Sequence, residues 1–592
     1  MEVVRDPAVS RYAAGQLSPE RRVADLARLR HDRFDVLVIG GGVTGAGAAV
    51  DAASRGLSVA LVEARDLAAG TSSRSSKLIH GGLRYLEQLE FGLVHEALRE
   101  RGLLASRLAP HLVRPVPFLV PLTAPRTPKG LPARAWHRLY YGTGIALYDA
   151  FSAAMSPRRE RGMPLHRHLT RARARRLFPS LREDALTGAI EYYDGQVDDA
   201  RFVITLARTA ASLGAAVVPG ARVVGLLRQA REVTGVRVRD EEDGLEFDVA
   251  ARTVIAATGV WSDDITAMLP DARPGLRVRA SKGIHLVVPR SAITGEVGLI
   301  LRTSSSVLFV IPWGGHWIIG TTDSDWALDR AHPAASARDI GYLLDEVNQV
   351  LDRPLSTEDI EGVYAGLRPL LAGEDEQTSA LSREHAVVEP MLGLMLVAGG
   401  KYTTYRVMAA DVVDRAVRRL GNGIRPSRTD ELPLLGADGY TTVWRDRADL
   451  ARRKEVPAGA LEHLLERYGT LATEILDLIA GDPELRQPLE GAPEYLAAEI
   501  VYAARAEGAL HLEDSLTRRT RISIETVHRG VHSARHAAEL MAGVLGWSES
   551  TVDDEVTRYV ARVEAERVSQ RMPDDRSADA ARRGLEDLAG VE

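Results

Sequence analysis

Between Phe34 and Glu63 the sequence writes out a unit that few folds accommodate: a buried strand, a glycine turn, a small-residue helix and a second buried strand. Phe34-Asp35-Val36-Leu37-Val38-Ile39 is a short apolar run suited to a parallel strand covered on both faces. Gly40, Gly42 and Gly45 follow it as G-x-G-x-x-G. The first glycine of such a turn permits the tight bend, the second lets a pyrophosphate approach the backbone, and the third lets helix and strand pack closely. The helix N-terminus then faces the phosphates. Gly56 ends the helix, and Leu57-Ser58-Val59-Ala60-Leu61-Val62 forms the second strand. Glu63 stands 23 residues after Gly40, where an acid hydrogen-bonds a ribose hydroxyl and disfavours a 2′-phosphate. The unit predicts dinucleotide binding.

Two distant segments repeat the pattern of a buried strand running into a glycine turn. Thr253-Val254-Ile255-Ala256-Ala257 leads to Thr258-Gly259, and Leu394-Met395-Leu396-Val397-Ala398 leads to Gly399-Gly400. If these join one sheet, the chain between them folds as a second domain, and runs such as Val307-Leu308-Phe309-Val310-Ile311 supply its strands. Beyond about residue 430 the apolar spacing turns helical, with Leu461, Leu464, Leu465 and Tyr468 on one face. At 592 residues, three to four domains are expected.

Behind Glu63, the stretch Thr71-Ser72-Ser73-Arg74-Ser75-Ser76-Lys77 clusters hydroxyls near the cofactor crevice. A loop of donors returning to the pyrophosphate suits FAD; an NAD enzyme would continue into another strand and helix. Thr71, Ser72, Ser73, Ser76 and Lys77 therefore join Gly40, Gly42, Gly45, Glu63, Gly259 and Gly400 as expected cofactor-binding residues. The fold class expected is α/β: a discontinuous Rossmann-like FAD-binding domain (34–109, 191–269 and 386–425), with an α+β substrate/cap domain (110–190 and 270–385) and a C-terminal all-helical domain (430–572). Residues 1–33 read as an N-terminal extension with one short helix, capped by Ser18 with Pro19 in its first turn, and 573–592 as a frayed polar tail.

With Ser75-Ser76-Lys77-Leu78-Ile79-His80-Gly81-Gly82-Leu83-Arg84-Tyr85-Leu86-Glu87, the glycine unit resembles the FAD-dependent (aerobic) glycerol-3-phosphate dehydrogenase family. Further matches follow in family order: Tyr192-Tyr193-Asp194-Gly195, Ala257-Thr258-Gly259-Val260-Trp261, Ser281-Lys282-Gly283-Ile284-His285, Ile319-Gly320-Thr321-Thr322-Asp323, Gly366-Leu367-Arg368-Pro369, Leu381-Ser382-Arg383-Glu384 and Gly399-Gly400-Lys401-Tyr402-Thr403-Thr404. The resemblance runs from about residue 34 to at least 570, with one conservative departure, Tyr402 where the family usually has Leu.

The resemblance implies oxidation of sn-glycerol 3-phosphate to dihydroxyacetone phosphate, with hydride passing from C2 to flavin N5 and electrons to membrane quinone. It implies substrate contacts from Arg84, Tyr85, Arg368, Arg383 and Lys401. The residues suit this: a phosphate ester needs guanidinium or ammonium partners in a cleft, and apolar turn residues flank Arg368. Lys401, at a helix start, places a cation where negative charge develops on reduction. His80 and His285 are the candidate bases for the hydroxyl proton, and the sequence does not choose between them.

Composition limits the rest. The net charge of -6 argues against a nucleic-acid-coating protein, and a flavin-binding RNA-interacting protein is the remote alternative. The absence of Cys excludes disulfides and thiolate metal sites. His528, His532 and His536 stand four apart, but no carboxylate or Cys completes a site and no metal is expected. Met1–Pro7 lacks a basic region leading into an apolar core, so no signal peptide is expected, and no apolar run is long enough to span a bilayer. Residues 126–182 carry thirteen Arg or Lys with interleaved aromatics, which suits peripheral docking on an anionic membrane surface at the cytoplasmic face. A glycerol-3-phosphate oxidase, passing electrons to oxygen and releasing hydrogen peroxide, is the closest alternative. A homo-oligomer stays open.

Overall fold

The computed structural model describes residues 7–81, 90–123, 164, 166–183, 186–269, 276–303, 307–372, 384–421 and 423–583. Two large sheets and a helical region make up most of the described residues. The first sheet contains β1 (Arg33–Ile39), β2 (Val59–Glu63), β7 (Ala216–Pro219), β8 (Ala221–Gln229), β9 (Glu232–Asp240), β10 (Glu246–Ala256), β17 (His385–Met391) and β18 (Leu394–Gly399). Its spine runs β17-β18-β10-β1-β2-β7, with β9 also paired to β10. From β18 to β7 the strands pair in parallel. The segments read as distant sheet partners, 253–257 and 394–398, are the cores of β10 and β18.

These strands are continuous apolar runs because helices cover the sheet. Helices α1 (Pro7–Ala14) and α2 (Pro19–His31) precede it, and α3 (Val43–Ser54), α4 (Asp199–Ser212) and α5 (Tyr405–Val417) pack together on one face. Small residues along α3 let that packing close: Gly47 lies so near the Tyr405 ring that a Cβ there would come within 2.8 Å of it. Ser18 caps α2, accepting from Arg21 N at 3.2 Å, with Pro19 at its first turn as expected. The N-terminal stretch is more than an extension, however. Leu26 and Leu29 join the core on the sheet's other face, and buried Asp25 accepts from the amide of Val217 in β7.

The second sheet contains β3 (Leu78–Ile79), β4 (Arg114–Thr123), β5 (Arg167–Thr170), β6 (Leu186–Gln196), β11 (Val278–Pro289), β12 (Gly298–Arg302), β13 (Val307–Trp313), β14 (His316–Gly320), β15 (Ser324–Trp326) and β16 (Gly362–Leu371). Strand β11 is its hinge line: one edge pairs with β15 and then β14, the other with β16 over ten residues. The chain crosses back to the first sheet after Gln196, so the segment 191–196, read as part of the cofactor domain, belongs to the second sheet. The pairing of β6 with β4 runs on through Asp194, Gly195 and Gln196, so the run Tyr192–Gly195 lies in the second sheet.

The C-terminal region is helical apart from one hairpin, Pro488–Leu489 with Ala492–Leu496. Buried ion pairs join it to the first sheet: Arg519 to Asp66 at 2.5 Å, Arg521 to Asp198 at 2.6 Å, and Arg467 to Asp198 at 3.1 Å. Its last described helices are α6 (Glu549–Ser569) and α7 (Asp575–Arg583). Helix α7 falls in the stretch read as a frayed tail, yet Ala578 is fully buried. Asp575 bonds the ammonium of Lys282 in β11, which has no local sequence signal.

Candidate active site

A cleft of about 910 Å³ opens between the two sheets, at the carboxyl ends of β1 and β18. In open α/β sheets this is where ligands bind, because strand ends and helix N-termini converge there. The glycine turn forms its floor. Gly40 has φ +108°, and a Cβ there would stand 2.7 Å from the Ala257 carbonyl oxygen. A Cβ on Gly45 would collide with the Gly40 carbonyl. Those two glycines are therefore demanded by the protein itself. Gly42 is different: only Ser72 Oγ, at 3.1 Å, lies near its absent Cβ. What Gly42 leaves open is space in the cleft, at the N-terminus of α3, where Val43 N donates to Ser72 Oγ at 3.0 Å. That cradle fits the pyrophosphate of a dinucleotide.

Glu63 is aimed by two amides, accepting from Gly41 N at 2.6 Å and Arg65 N at 3.0 Å. Burial pushes its carboxyl up, and the two amides oppose that. Thr71, Ser72, Ser76, Gly259 and Gly400 also line the cleft. Ser73 and Lys77 do not. Lys77 is fully buried behind the loop, donating to Asp199 at 2.8 Å and to the Ser73 carbonyl at 3.2 Å. A buried ammonium needs such a carboxylate, so this one is spent on Asp199, where the sequence reading expected it at the cofactor.

The opposite wall comes from the second sheet. Arg368 on β16 spreads its guanidinium over Thr321 Oγ1 (3.2 Å), the Thr322 carbonyl (3.1 Å), Ser281 Oγ (3.4 Å) and Asp323 Oδ1 (3.4 Å). Gly283 makes room for it: a Cβ there would come within 2.6 Å of Arg368 Nη2. Of these partners, Thr321, Thr322 and Asp323 fall in a run that resembles the family, but the sequence alone assigns them no role.

His285, also on β11, is 2% exposed and stacks on Tyr364 at 4.7 Å. Its Nε2 lies 2.8 Å from Ser76 Oγ, whereas Nδ1 has no hydrogen-bond partner among the described residues. Burial first, then the Lys77 and Arg368 cations, holds its pKa well below the ordinary value. The imidazole is thus neutral at physiological pH.

Lys401 enters the cleft from the turn after β18, where Gly399 and Gly400 have φ +78° and +73°. Thr403, two residues on, holds the backbone of His80, accepting from its amide at 3.1 Å and donating to its carbonyl at 3.3 Å. The cross-link brings His80 and Lys401 to one cleft from chain segments over 300 residues apart. Tyr402, the departure from the family pattern, donates its hydroxyl to the Asp199 carbonyl at 2.6 Å. Arg84, Tyr85 and Arg383 lie outside the described residues, as does most of the basic stretch 126–182. Arg74, Arg582 and Arg583 also line the cleft, and no sequence motif points to them.

Comparison with known proteins agrees with this geometry. Residues 35–406 match the FAD dependent oxidoreductase family, and residues 427–552 match the C-terminal domain of alpha-glycerophosphate oxidase. The chain is 56% identical over 571 residues to glycerol-3-phosphate dehydrogenase 2 of Mycobacterium tuberculosis, covering 96% of this chain and 95% of that one. It is 36% identical to the mitochondrial glycerol-3-phosphate dehydrogenase of Mus musculus, covering 93% and 77%. Among solved structures, the glycerol-3-phosphate dehydrogenase from Bacillus halodurans complexed with FAD superposes with a TM-score of 0.74 at 27% identity, covering 93% and 97%.

Proposed function

The chain belongs to the FAD-dependent glycerol-3-phosphate dehydrogenase family, and from that premise we propose that it oxidises sn-glycerol 3-phosphate to dihydroxyacetone phosphate at the cleft between its sheets and delivers the electrons to a membrane quinone. The observation that carries the reading is the convergence of Arg368, Lys401 and neutral His285 on the same cleft as the glycine cradle. FAD, when bound, supplies the acceptor for the hydride that leaves substrate C2.

The residues do the remaining work. Arg368 is a planar fork fixed by four acceptors, so it meets a phosphate at little orientational cost. Lys401 adds a compact cation on the cofactor side of the cleft, beside a helix start that also favours negative charge. His285 lines the cleft and takes the C2 hydroxyl proton, with Ser76 Oγ, 2.8 Å from Nε2, fixing the ring. Its low proton affinity in the resting protein keeps it in the accepting form, and proton uptake is favoured only when a dianionic substrate offsets the nearby cations. His80 stays a wall residue, tied through its backbone to Thr403.

Quinone as acceptor rests on the family's habit and on the basic, aromatic stretch 126–182; peripheral attachment at the cytoplasmic face of the membrane goes with it. Among the described residues no helix is long and apolar enough to cross a membrane. Oxygen is the second reading, favoured by the match of residues 427–552 to a domain described from an oxidase. The test is anaerobic mixing of the purified protein with glycerol 3-phosphate while the flavin absorbance is followed. Bleaching that recovers fastest with a quinone analogue supports the dehydrogenase, faster recovery with oxygen supports the oxidase, and no bleaching at saturating substrate overturns the substrate assignment.

A further inference from the structure

Helix α7 lies where the two sheets meet, and three observations tie it to the cofactor cleft. First, it is anchored from both ends. Asp575 accepts from Lys282 Nζ at 2.6 Å and from Ser336 Oγ at 3.2 Å, and Asp579, 1% exposed, accepts from Asp329 N at 3.1 Å. Ala578 packs between Val260 and Leu367, the neighbours of the Gly259 turn and of Arg368. Lys282 spends all three donors, with Asp339 at 2.6 Å and the Ala334 carbonyl at 3.2 Å as the other acceptors.

Second, the end of the helix reaches the cleft: Arg582 and Arg583 are among its lining residues. Arg582 is buried and pairs with Glu566 at 2.9 Å; Arg583 pairs with Asp579 at 2.7 Å. Third, the wall they join is crowded with cations, of which Glu513 offsets only part. Arg74, two residues beyond the Ser72 that meets the α3 N-terminus, donates to the Ala331 carbonyl at 3.1 Å and has no carboxylate in ion-pairing reach among the described residues. Burial and like-charged neighbours bring both Arg74 and Arg582 down to about 9. Guanidinium groups crowded together out of water are costly unless anions share the space; Glu566 and Glu513 supply part of that charge, and an anionic ligand in the cleft would supply more.

We propose that α7 completes the cofactor cleft and that Arg582 and Arg583, together with Arg74, are cofactor-binding residues that contact the anionic diphosphate of the dinucleotide. The inference rests on the FAD reading above and adds to it a wall supplied from the far end of the chain. Lys282 and Asp575 are positioning residues in this scheme: they hold the helix against β11, whose opposite face carries Gly283 and His285.

The test uses full-length protein stripped of flavin and titrated with FAD at several salt concentrations, followed by the flavin fluorescence. Arg582→Ala/Arg583→Ala is expected to raise the FAD dissociation constant at least about tenfold and to flatten its salt dependence, as removal of charge-assisted hydrogen bonds requires. Lys282→Met is expected to weaken FAD in the same direction. At saturating FAD, the KM for glycerol 3-phosphate should stay within about twofold in the arginine variant, since these side chains grip the cofactor and not the substrate. A folded double variant that binds FAD as tightly as wild type overturns the proposal, and so does a raised KM with unchanged FAD affinity, which would turn the arginines toward the substrate. If truncation before Asp574 weakens FAD binding while the double variant does not, α7 is only a packing cover and the proposal again falls. Wild-type apoprotein that takes up no FAD would instead count against the cofactor reading itself.

Discussion

Arg368 and Gly283 lie diagonally across paired strands, with the guanidinium over the glycine, and the pair argues for one function more sharply than either alone. A methyl group at 283 would press on the guanidinium and on Thr321. Gly283→Ala is therefore expected to lower kcat/KM for glycerol 3-phosphate by about tenfold or more while leaving FAD bound, because the cofactor cradle lies on the other sheet. Arg368→Ala and Lys401→Ala should cost about a hundredfold or more, again with the yellow colour retained. Colourless protein from either would make those cations structural. The reverse outcome is expected at Gly42, where Gly42→Val fills the opening at the α3 N-terminus and only Ser72 Oγ, 3.1 Å from the added Cβ, has to give way. Folded, flavin-free protein is the result that checks it, by absorbance after gel filtration. At this scale the sequence is informative where chemistry is local. The glycine turn and Glu63 are legible because strand, turn, helix and acid lie within one continuous unit of about thirty residues. Lys77 misleads because its partner, Asp199, stands 122 positions along the chain.

Elements behave the same way. The cap of α2 is legible because Ser18 and Pro19 write it in four residues, and β10 and β18 are legible because buried parallel strands are uniformly apolar. Helix α7 is not, since its anchors Lys282 and Asp329 are 293 and 250 positions distant and its composition alone reads as solvated. The crossover after Gln196 is hidden because what places 191–196 is its pairing with β4, a strand distant in sequence. The helical region bears on the cofactor loop in a way composition also hides. Arg521 pairs with Asp198 and Asp199, and it donates to the Ser73 carbonyl at 3.3 Å, so it braces the stretch 71–77 from behind. Arg521→Met leaves two buried carboxylates with one fewer partner, a change that costs about 3–5 kcal/mol when a buried pair is broken. The expected result is a lower unfolding midpoint together with faster FAD loss. A fall in stability with unchanged flavin retention would mean that the brace ends at the interface and does not reach the loop.

Across the whole molecule, three histidines with opposed environments give stability a maximum near neutrality. His111, buried beside Gly436 and Gly469 at the junction with the helical region, is brought down to about 3 by burial, and His285 is likewise held well below its ordinary value. Each binds fewer protons folded than unfolded, so the stability each lends is present above about pH 6.5 and is lost as pH falls below it, at up to about 1.4 kcal/mol per pH unit. His511 has the other sign. Although burial opposes it, the Glu242 and Glu555 carboxylates on either side raise its pKa well above the ordinary value. The stability it lends is complete below about pH 6.5 and is lost as pH rises through the folded pKa. Carboxylates such as Asp198, where burial is outweighed by Arg521 and Arg467 and the pKa stays far below the usual range, add a further loss only below about pH 4, where the unfolded chain begins to take up protons. Thermal midpoints of the FAD-loaded protein should accordingly peak near pH 6.5 and fall on both sides. His111→Leu should reduce the slope between about pH 6 and pH 4.5 and leave the alkaline limb untouched, while His511→Gln should flatten the alkaline limb. An acid limb unchanged in His111→Leu would assign the proton uptake to another group, and an alkaline limb unchanged in His511→Gln would remove the Glu242–His511–Glu555 bridge as a pH-sensitive tie between the first sheet and the helical region.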